Sequence, residues 1–425
     1  MSSLVRLEKL HAEQKRIAQS FASSQRVVVR CGRRFGKTTL FERTAAKSAY
    51  NGKKVGWFGP NYKLNSPTYN RLLRMLQPVV QTKNKIDQLI ELQTGGSVEW
   101  WTLNDEDAGR SRFYDLVIID EASLVSKGLR DIWEQAIAPT LLDRGGKAIM
   151  AGTPKGVDPE NFFYEACTNK SLGWVEFHAP TAANPMLDRD RVAKLKDEYP
   201  PLVYQQEYLA EFVDWRGTAF FSESSLLIEG EPAPFPVRCD TVYAVIDTAV
   251  KDTLEHDGTA VAYFAKDRHA VGHPLTILDW EVLQIEGYLL EQWLPGVYLR
   301  LEELAKECGA RYGSSGTFIE DKSTGSVLIQ HSQNRGLQCE AIPSDLTALG
   351  KDPRAISASP YVYRGDVKIS RHAYEKITNY RGQERNHLLS QVCGYRPGTK
   401  TPHGMDLLDC TVYGIMMGLG DSDGY

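Results

Sequence analysis

The stretch VVVRCGRRFGKTTL, Val27–Leu40, contains Gly36-Lys37-Thr38, a triplet suited to gripping phosphate. In the full pattern, G-x-x-x-x-G-K-[ST], a glycine stands five residues before the second glycine; here Cys31 holds that place. Cys31 makes the loop entrance less permissive than glycine would, and Gly32 is placed to relieve it. Lys37 would supply a mobile positive charge to the β- and γ-phosphates, and the Thr38 hydroxyl would reach Mg²⁺. Thr39 lies in the same first turn, and Arg33 and Arg34 add charge within the loop. The competing reading is a basic surface turn after a strand.

A second motif favours the phosphate site. DLVIIDEAS, Asp115–Ser123, is an apolar strand ending in adjacent carboxylates, Asp120 and Glu121. Asp120 follows Lys37 by 83 positions, enough chain for intervening strands and helices. Asp120 would hold Mg²⁺ through water, and Glu121 would orient and deprotonate an attacking water.

The C-terminal half carries a different constellation. VYAVIDTA ends near Asp247, GTFIEDKSTG ends at Glu320 and Asp321, and HGMDLLDCTVYGIMMG places Asp406 and Asp409 one helical turn apart. Asp247, Glu320 and Asp406 are spaced 73 and 86 positions apart, so they can converge at one end of a sheet. Converging carboxylates repel unless a divalent cation neutralises them. Two such ions about 3.5–4 Å apart would clamp the attacking water and leaving oxygen of a phosphodiester. The bland alternative is that each acid caps a strand or turn. Whether Glu320 or Asp321 faces inward stays open at this stage.

The elements that must position these groups are legible in outline. Val27–Val29 is a β-branched run suited to a buried parallel strand, and Thr38–Tyr50 has no Gly or Pro and reads as a helix. KKVGWFGPNY, SVEWWTL, the Asp120 segment and KAIMAGTPKG read as further strands of a first α/β block. Arg189–Phe212 reads as helix interrupted at Pro200-Pro201. EGEPAPFPVR, Glu229–Arg238, has three prolines in ten residues and reads as a linker. A second block opens at DTVYAVIDTA and continues as a β-meander. The acidic, glycine-rich tail GDSDGY reads as frayed.

Composition sets the class. With 425 residues the chain can build two domains, and 42% hydrophobic with 24% charged residues is a soluble globular balance. No apolar run reaches the ~18 residues of a membrane span, and the N-terminus has no signal-peptide core. Seven cysteines without a C-x-x-C pair suggest reduced thiols. The net charge is −4, yet residues 1–60 carry +10 and the remainder −14. A basic ATPase face with a carboxylate-rich partner domain would give that split, as would a merely solvated basic surface.

Taken in order, these motifs resemble the large subunit of phage terminases over almost the whole chain. LHAEQKRI resembles the family's adenine-contacting glutamine segment, which implies Gln14. CGRRFGKTT resembles its Walker A, which often lacks the first glycine. GRSRFYDLVIIDEAS resembles the approach to Walker B and implies Arg110, or Arg112, as an arginine finger. AGTPKG is similar to the coupling motif and implies Thr153, and YQQEYLAEFVDWRGTAFF resembles the close of the ATPase domain. VIDTA, FIEDKSTG and HGMDLLD are similar to the acidic motifs of an RNase H-like nuclease, with Asp406 as ligand and Asp409 auxiliary.

The resemblance implies an α/β protein with an ASCE P-loop ATPase domain at 1–213, a linker at 214–238 and an RNase H-like nuclease domain at 239–425. It implies ATP with Mg²⁺ in the first domain, two Mg²⁺ or Mn²⁺ in the second, and double-stranded DNA as substrate. A portal protein, a small terminase subunit, ring assembly and the host cytoplasm follow from the same likeness. Two rivals are a helicase-like repair ATPase fused to a nuclease and a non-catalytic ATP-gated DNA clamp. Unwinding of a forked duplex would favour the first; lack of Mg²⁺- or Mn²⁺-dependent cutting would favour the second.

Overall fold

The computed structural model describes every residue except 1–4, 6, 22, 126–127, 216–218, 249–257, 271, 286–288, 323, 397–404 and 421–425. The acidic tail beyond Gly420, and the His403-Gly404 start of the last acidic motif, therefore lie outside the described residues. The chain divides into two compact units, one reaching Asp214 (less Glu198–Pro200), the other holding those three residues and running on from Trp215.

The first unit is built on an eight-stranded sheet in the order β3-β4-β5-β2-β6-β7-β1-β8. Its strands are β1 (Arg26–Cys31), β2 (Lys54–Gly59), β3 (Val80–Asn84), β4 (Leu89–Leu92), β5 (Ser97–Thr102), β6 (Leu116–Ile119), β7 (Lys147–Gly152) and β8 (Val175–Ala179). The strands β5-β2-β6-β7-β1-β8 run parallel. Val27, Val28 and Val29 are fully buried, as a parallel strand covered on both faces requires. The odd and even residues of β1 serve opposite layers. Val27 and Val29 pack with Leu40, Phe41 and Trp57, whereas Val28 packs with Phe58, Val117 and Met150. Each such side chain contributes about 1.5–3 kcal/mol when fully buried. The helix expected after the loop is α2, Lys37–Tyr50. The proline-interrupted stretch forms two helices, Arg189–Glu198 and Pro201–Glu207.

Three strands escape the hydrophobic pattern. In β3 four of five residues are exposed, so VQTKN has no buried face to mark it. β4 is short, and β8 is an edge strand with one fully buried residue, Ala179.

The second unit holds a six-stranded sheet in the order β13-β12-β9-β10-β11-β14. β9 (Thr241–Asp247), β10 (Thr259–Lys266) and β11 (Leu275–Leu283) form the expected antiparallel meander. β12 (Ser314–Ile319) joins β9 in parallel, and β13 (Cys339–Ala341) and β14 (Val367–Ile369) complete the sheet. Helix Leu290–Glu307 packs Leu294, Val297, Leu301 and Leu304 onto Val242, Ala244 and Ile246 of β9. Helix Asp406–Leu419 packs on the sheet through glycine: a Cβ on Gly414 would meet the Phe264 ring at 2.2 Å. The Tyr243 hydroxyl donates to the Gly414 carbonyl at 2.7 Å.

Within the stretch read as a linker, residues 229–238 are instead tied to the second unit. The Ala233 N–H donates to the Ile369 carbonyl, and the Arg371 N–H donates to the Ala233 carbonyl. Ala233 is 1% exposed, and Phe235 packs against the β9 core. The prolines suit this edge position, because a sheet edge does not require every N–H.

Candidate functional site

The C-terminal ends of β1, β6 and β7 lie side by side. Ile119 stands opposite Met150, and Arg30 opposite Gly152. Cys31, Asp120 and Thr153 follow directly at that edge, the place where ligands bind in open parallel sheets. Cys31 remains in β1, opposite Ala179, and its burial pushes the thiol up to about 12, too high for a reactive thiolate. The glycine requirement has moved to Gly32. A Cβ there would stand 2.5 Å from the Tyr208 carbonyl and 2.6 Å from Thr181 Oγ1. Gly36 caps α2 at φ 96°, where glycine is unstrained.

Lys37 opens α2, with Thr38 and Thr39 next in its first turn. The Lys37 Nζ donates directly to Glu121 Oε1. Burial disfavours the ammonium charge, but Glu121 and Asp120 more than compensate and raise its pKa. Asp120 is pushed up to about 7, chiefly by burial and further by Glu121, with Lys37 opposing. Its Oδ1 accepts the Glu121 N–H at 3.0 Å, and Glu121 holds a left-handed backbone at φ 52°. Thr153 follows β7 and is 9% exposed.

The remaining candidates divide. The Gln14 side chain lies against the loop, donating from Nε2 to the Gly36 carbonyl at 2.7 Å. Arg33 turns away to Glu207, at 2.6 Å. Arg34 is exposed, with φ 61°. Arg110 sits on an exposed turn, paired with Asp107 three residues before it at 2.7 Å. Arg112 is engaged by Glu99 at 3.1 Å and lies over the Trp101 ring.

Glu207 is the residue that motif reading passed over. Its side chain is 2% exposed and meets Arg33 and Lys155, the latter at 3.1 Å. Burial would raise its pKa, yet Lys155 and Arg33 hold it down to about 2. The signal was the lone acid of YQQEYL at the end of a short helix, Pro201–Glu207; its partners, 174 and 52 positions away, were invisible.

In the second unit, Ile246 pairs with Ile319, so Asp247 and Glu320 emerge side by side from β9 and β12. Asp406 is buried at the start of the last helix and accepts the Gly258 N–H at 3.0 Å. Asp247 is raised well above the ordinary carboxylate range by burial and by Asp409, Asp406 and Glu320, with Lys351 opposing. Glu320 faces the cluster, accepting the Tyr413 hydroxyl at 3.3 Å, whereas Asp321 is exposed and accepts the Ser326 hydroxyl at 2.6 Å. Asp409, expected as an auxiliary ligand, has one oxygen 2.9 Å from Lys351 Nζ and the other 2.9 Å from Arg354 Nη2. The mutually repelling acids Asp247, Glu320 and Asp406 have the donor chemistry of a divalent-cation site. Among the described residues, however, no three His, Cys, Asp or Glu side chains stand in ligating arrangement. Among the same residues no helix is long and apolar enough to cross a membrane.

No family model matches the chain. The sequence is 27% identical over 201 residues to the large terminase subunit of Escherichia phage T5, covering 46% of each chain. It is 30% identical over 139 residues to that of Thermus phage G20c, covering 28% of this chain and 27% of the relative. The chain thus spans less than half the length of these curated relatives. In three dimensions it is similar to the large terminase of a thermophilic bacteriophage: TM-score 0.64 at 13% identity, covering 97% of this chain and 100% of the other. The ADP complex of that same phage protein gives a TM-score of 0.65 at 13% identity, covering 96% and 99%. The chain therefore has the fold of a phage large terminase and is related in sequence to curated large terminase subunits.

Proposed function

We propose that this chain is a large terminase subunit: an ATP-driven motor that moves double-stranded viral DNA into a prohead and cuts concatemeric DNA. The observation that carries the reading is the meeting of Lys37 with Glu121, beside Asp120, at the mouth of a parallel sheet. Loop N–H groups and Lys37 would bind the triphosphate of ATP. Glu121 would take the proton of the attacking water once phosphate draws Lys37 away from it. Thr38 and Asp120 would hold Mg²⁺, which supplies charge neutralisation at the phosphates. The buried, elevated Asp120 suits that role, since a cation beside it offsets its desolvation. Thr153, beyond β7, would couple hydrolysis to movement, and Arg110 would reach a neighbouring subunit's nucleotide.

In the second unit Asp247, Glu320 and Asp406 would hold Mg²⁺ or Mn²⁺, supplying Lewis-acid activation for phosphodiester hydrolysis. Lys322 and Tyr413 both bond Glu320 Oε1, and the Gly258 N–H donates to Asp406. Lys351 and Arg354, held by Asp409, place positive charge beside the acids, where substrate phosphate would approach. The same reading assigns as partners a portal protein and a small terminase subunit, with ring assembly on the portal in the host cytoplasm. Contacts to DNA should be mostly to phosphate, so affinity should fall steeply with salt. The test is ATP-dependent packaging into matching empty proheads, with Mg²⁺- or Mn²⁺-dependent cutting measured in parallel. A protein that hydrolyses no ATP with DNA and proheads present ends the motor reading; one that cuts no DNA with either ion ends the nuclease reading.

A further inference from the structure

The phosphate loop is held from outside by its carbonyls. Thr181 Oγ1 donates to the Arg33 carbonyl at 2.7 Å, and Asn184 Nδ2 donates to the Arg34 carbonyl at 2.7 Å. His11 Nε2 bonds the Phe35 carbonyl at 3.2 Å, and Gln14 Nε2 donates to the Gly36 carbonyl at 2.7 Å. Four consecutive carbonyls, Arg33 to Gly36, are thus each engaged by a side chain. In a trans peptide the N–H of the next residue points opposite to the carbonyl. Holding these carbonyls outward therefore turns the following N–H groups inward. Phe35 N–H closes a turn onto the Gly32 carbonyl at 3.2 Å. The N–H groups of Arg34, Gly36 and Lys37 donate to no protein acceptor among the described residues.

The four donors come from two braced segments. His11 and Gln14 form a reciprocal cap at the start of α1 (Ala12–Ser20): His11 N–H donates to Gln14 Oε1 at 3.0 Å, and Gln14 N–H donates to His11 Nδ1 at 3.4 Å. Because Nδ1 accepts, the imidazole proton sits on Nε2, which makes His11 the donor to Phe35. Thr181 and Asn184 lie in the turn after β8, where the Thr181 N–H donates to the Tyr208 carbonyl at 2.8 Å and the Asn184 N–H to the Thr181 carbonyl at 3.1 Å.

We infer that His11, Gln14, Thr181 and Asn184 are positioning residues that hold the phosphate loop with its N–H groups presented to a polyphosphate, whatever base that polyphosphate carries. This deepens the nucleotide-site reading above and rests on it. It gives Gln14 a role directed at the loop rather than at adenine. It also explains how the loop keeps its shape with Cys31 at the first-glycine place.

The test uses the full chain and substitutions that remove the donor without adding charge: Gln14→Met, Asn184→Ala and Thr181→Val. Affinities for ATP, GTP and inorganic tripolyphosphate are measured by competition against a fluorescent nucleotide, with thermal midpoints alongside. Each substitution should weaken all three ligands by the same factor, about three- to tenfold, as expected for one lost hydrogen bond. Thr181→Ser should restore the parent affinity. If Gln14→Met weakens ATP but leaves tripolyphosphate unchanged, Gln14 reads the base and the inference falls. If midpoints drop while affinities stay, Gln14, Thr181 and Asn184 only pack the fold and the inference again falls. A parent that binds none of the three, or a Lys37→Ala variant that binds tripolyphosphate as well as the parent, overturns the nucleotide-site reading itself.

Discussion

Lys37 and Glu121, 84 residues apart in sequence, are joined by a direct hydrogen bond between ammonium and carboxylate. Each neutralises the other in a setting where Asp120 is already costly to charge. Lys37→Ala should abolish ATP hydrolysis and leave Glu121 without its counter-charge. Glu121→Gln should retain nucleotide binding yet lower turnover by about 10²–10⁴, because an amide takes no proton from water. Steady-state turnover alongside nucleotide affinity checks both; parental turnover in Glu121→Gln would remove the Walker B assignment.

Arg110 and Arg112 are separated by their surroundings. Arg112 is committed to Glu99 and Trp101, while Arg110 pairs, among the described residues, with the exposed Asp107. Arg110→Ala should change stability by less than about 0.5 kcal/mol, since exposed pairs contribute little. If Arg110 acts on a neighbour's nucleotide, its loss should cost about 10³–10⁵ in turnover. Mixing Arg110→Ala with Lys37→Ala subunits should then restore part of the activity. No recovery, with weakened DNA binding in the single variant, would assign Arg110 to DNA phosphate instead.

Glu207 should make the first unit acid-sensitive. Its folded pKa, about 2, lies below the ordinary carboxylate value. A depressed pKa means that its stabilisation is complete above about pH 4.5 and is lost as pH falls toward 2. Glu207→Gln should cost about 2–3 kcal/mol at pH 7, a discounted figure because Arg33 is partly solvated. The variant's stability should also change less than the parent's between pH 4.5 and 2. Parallel denaturant titrations across that window decide it; identical acid profiles would show that Arg33 and Lys155 are not coupled to this carboxylate.

The acidic cluster should separate function from stability. Asp247→Asn, Glu320→Gln and Asp406→Asn should each abolish Mg²⁺- or Mn²⁺-dependent cutting, and Asp247→Asn should also raise the thermal midpoint by removing a buried, repelled charge. Asp321→Asn should cut as the parent does, because its side chain faces solvent and Ser326. Asp409→Asn should lower stability by about 2 kcal/mol, leaving Lys351 and the largely buried Arg354 without their carboxylate. Equal loss of cutting in Asp321→Asn and Glu320→Gln would overturn the orientation described here.

A fragment starting at Cys239 should be less stable than one starting at Trp215. The longer fragment keeps the Ala233 backbone bonds to the 369–371 segment and the packing of Phe235. Chemical denaturation of the two compares them directly; equal midpoints would mean that these contacts contribute nothing.

What the sequence determined by itself were the local things. Val27–Val29, Gly36-Lys37-Thr38 and the strand ending at Asp120-Glu121 are contiguous, and burial pattern and glycine placement mark them within a few residues. The order of the acids, Asp247, Glu320 and Asp406, is likewise written in the chain. Tertiary structure decided the rest. Glu320 and Asp321 are adjacent and equally acidic, and only the parallel register Ile246–Ile319 sets which one meets Asp247. Asp409 looked like a partner of Asp406 until Lys351 and Arg354, on another helix, took its charge. Glu207 and the donors Thr181 and Asn184 carry no motif, because what they do depends on a loop 148 to 174 residues away. Periodicity and turn chemistry act over a few residues and leave a mark in sequence. Pairing of charges and hydrogen bonds across a sheet depends on register and packing, and those are settled only when the chain closes on itself.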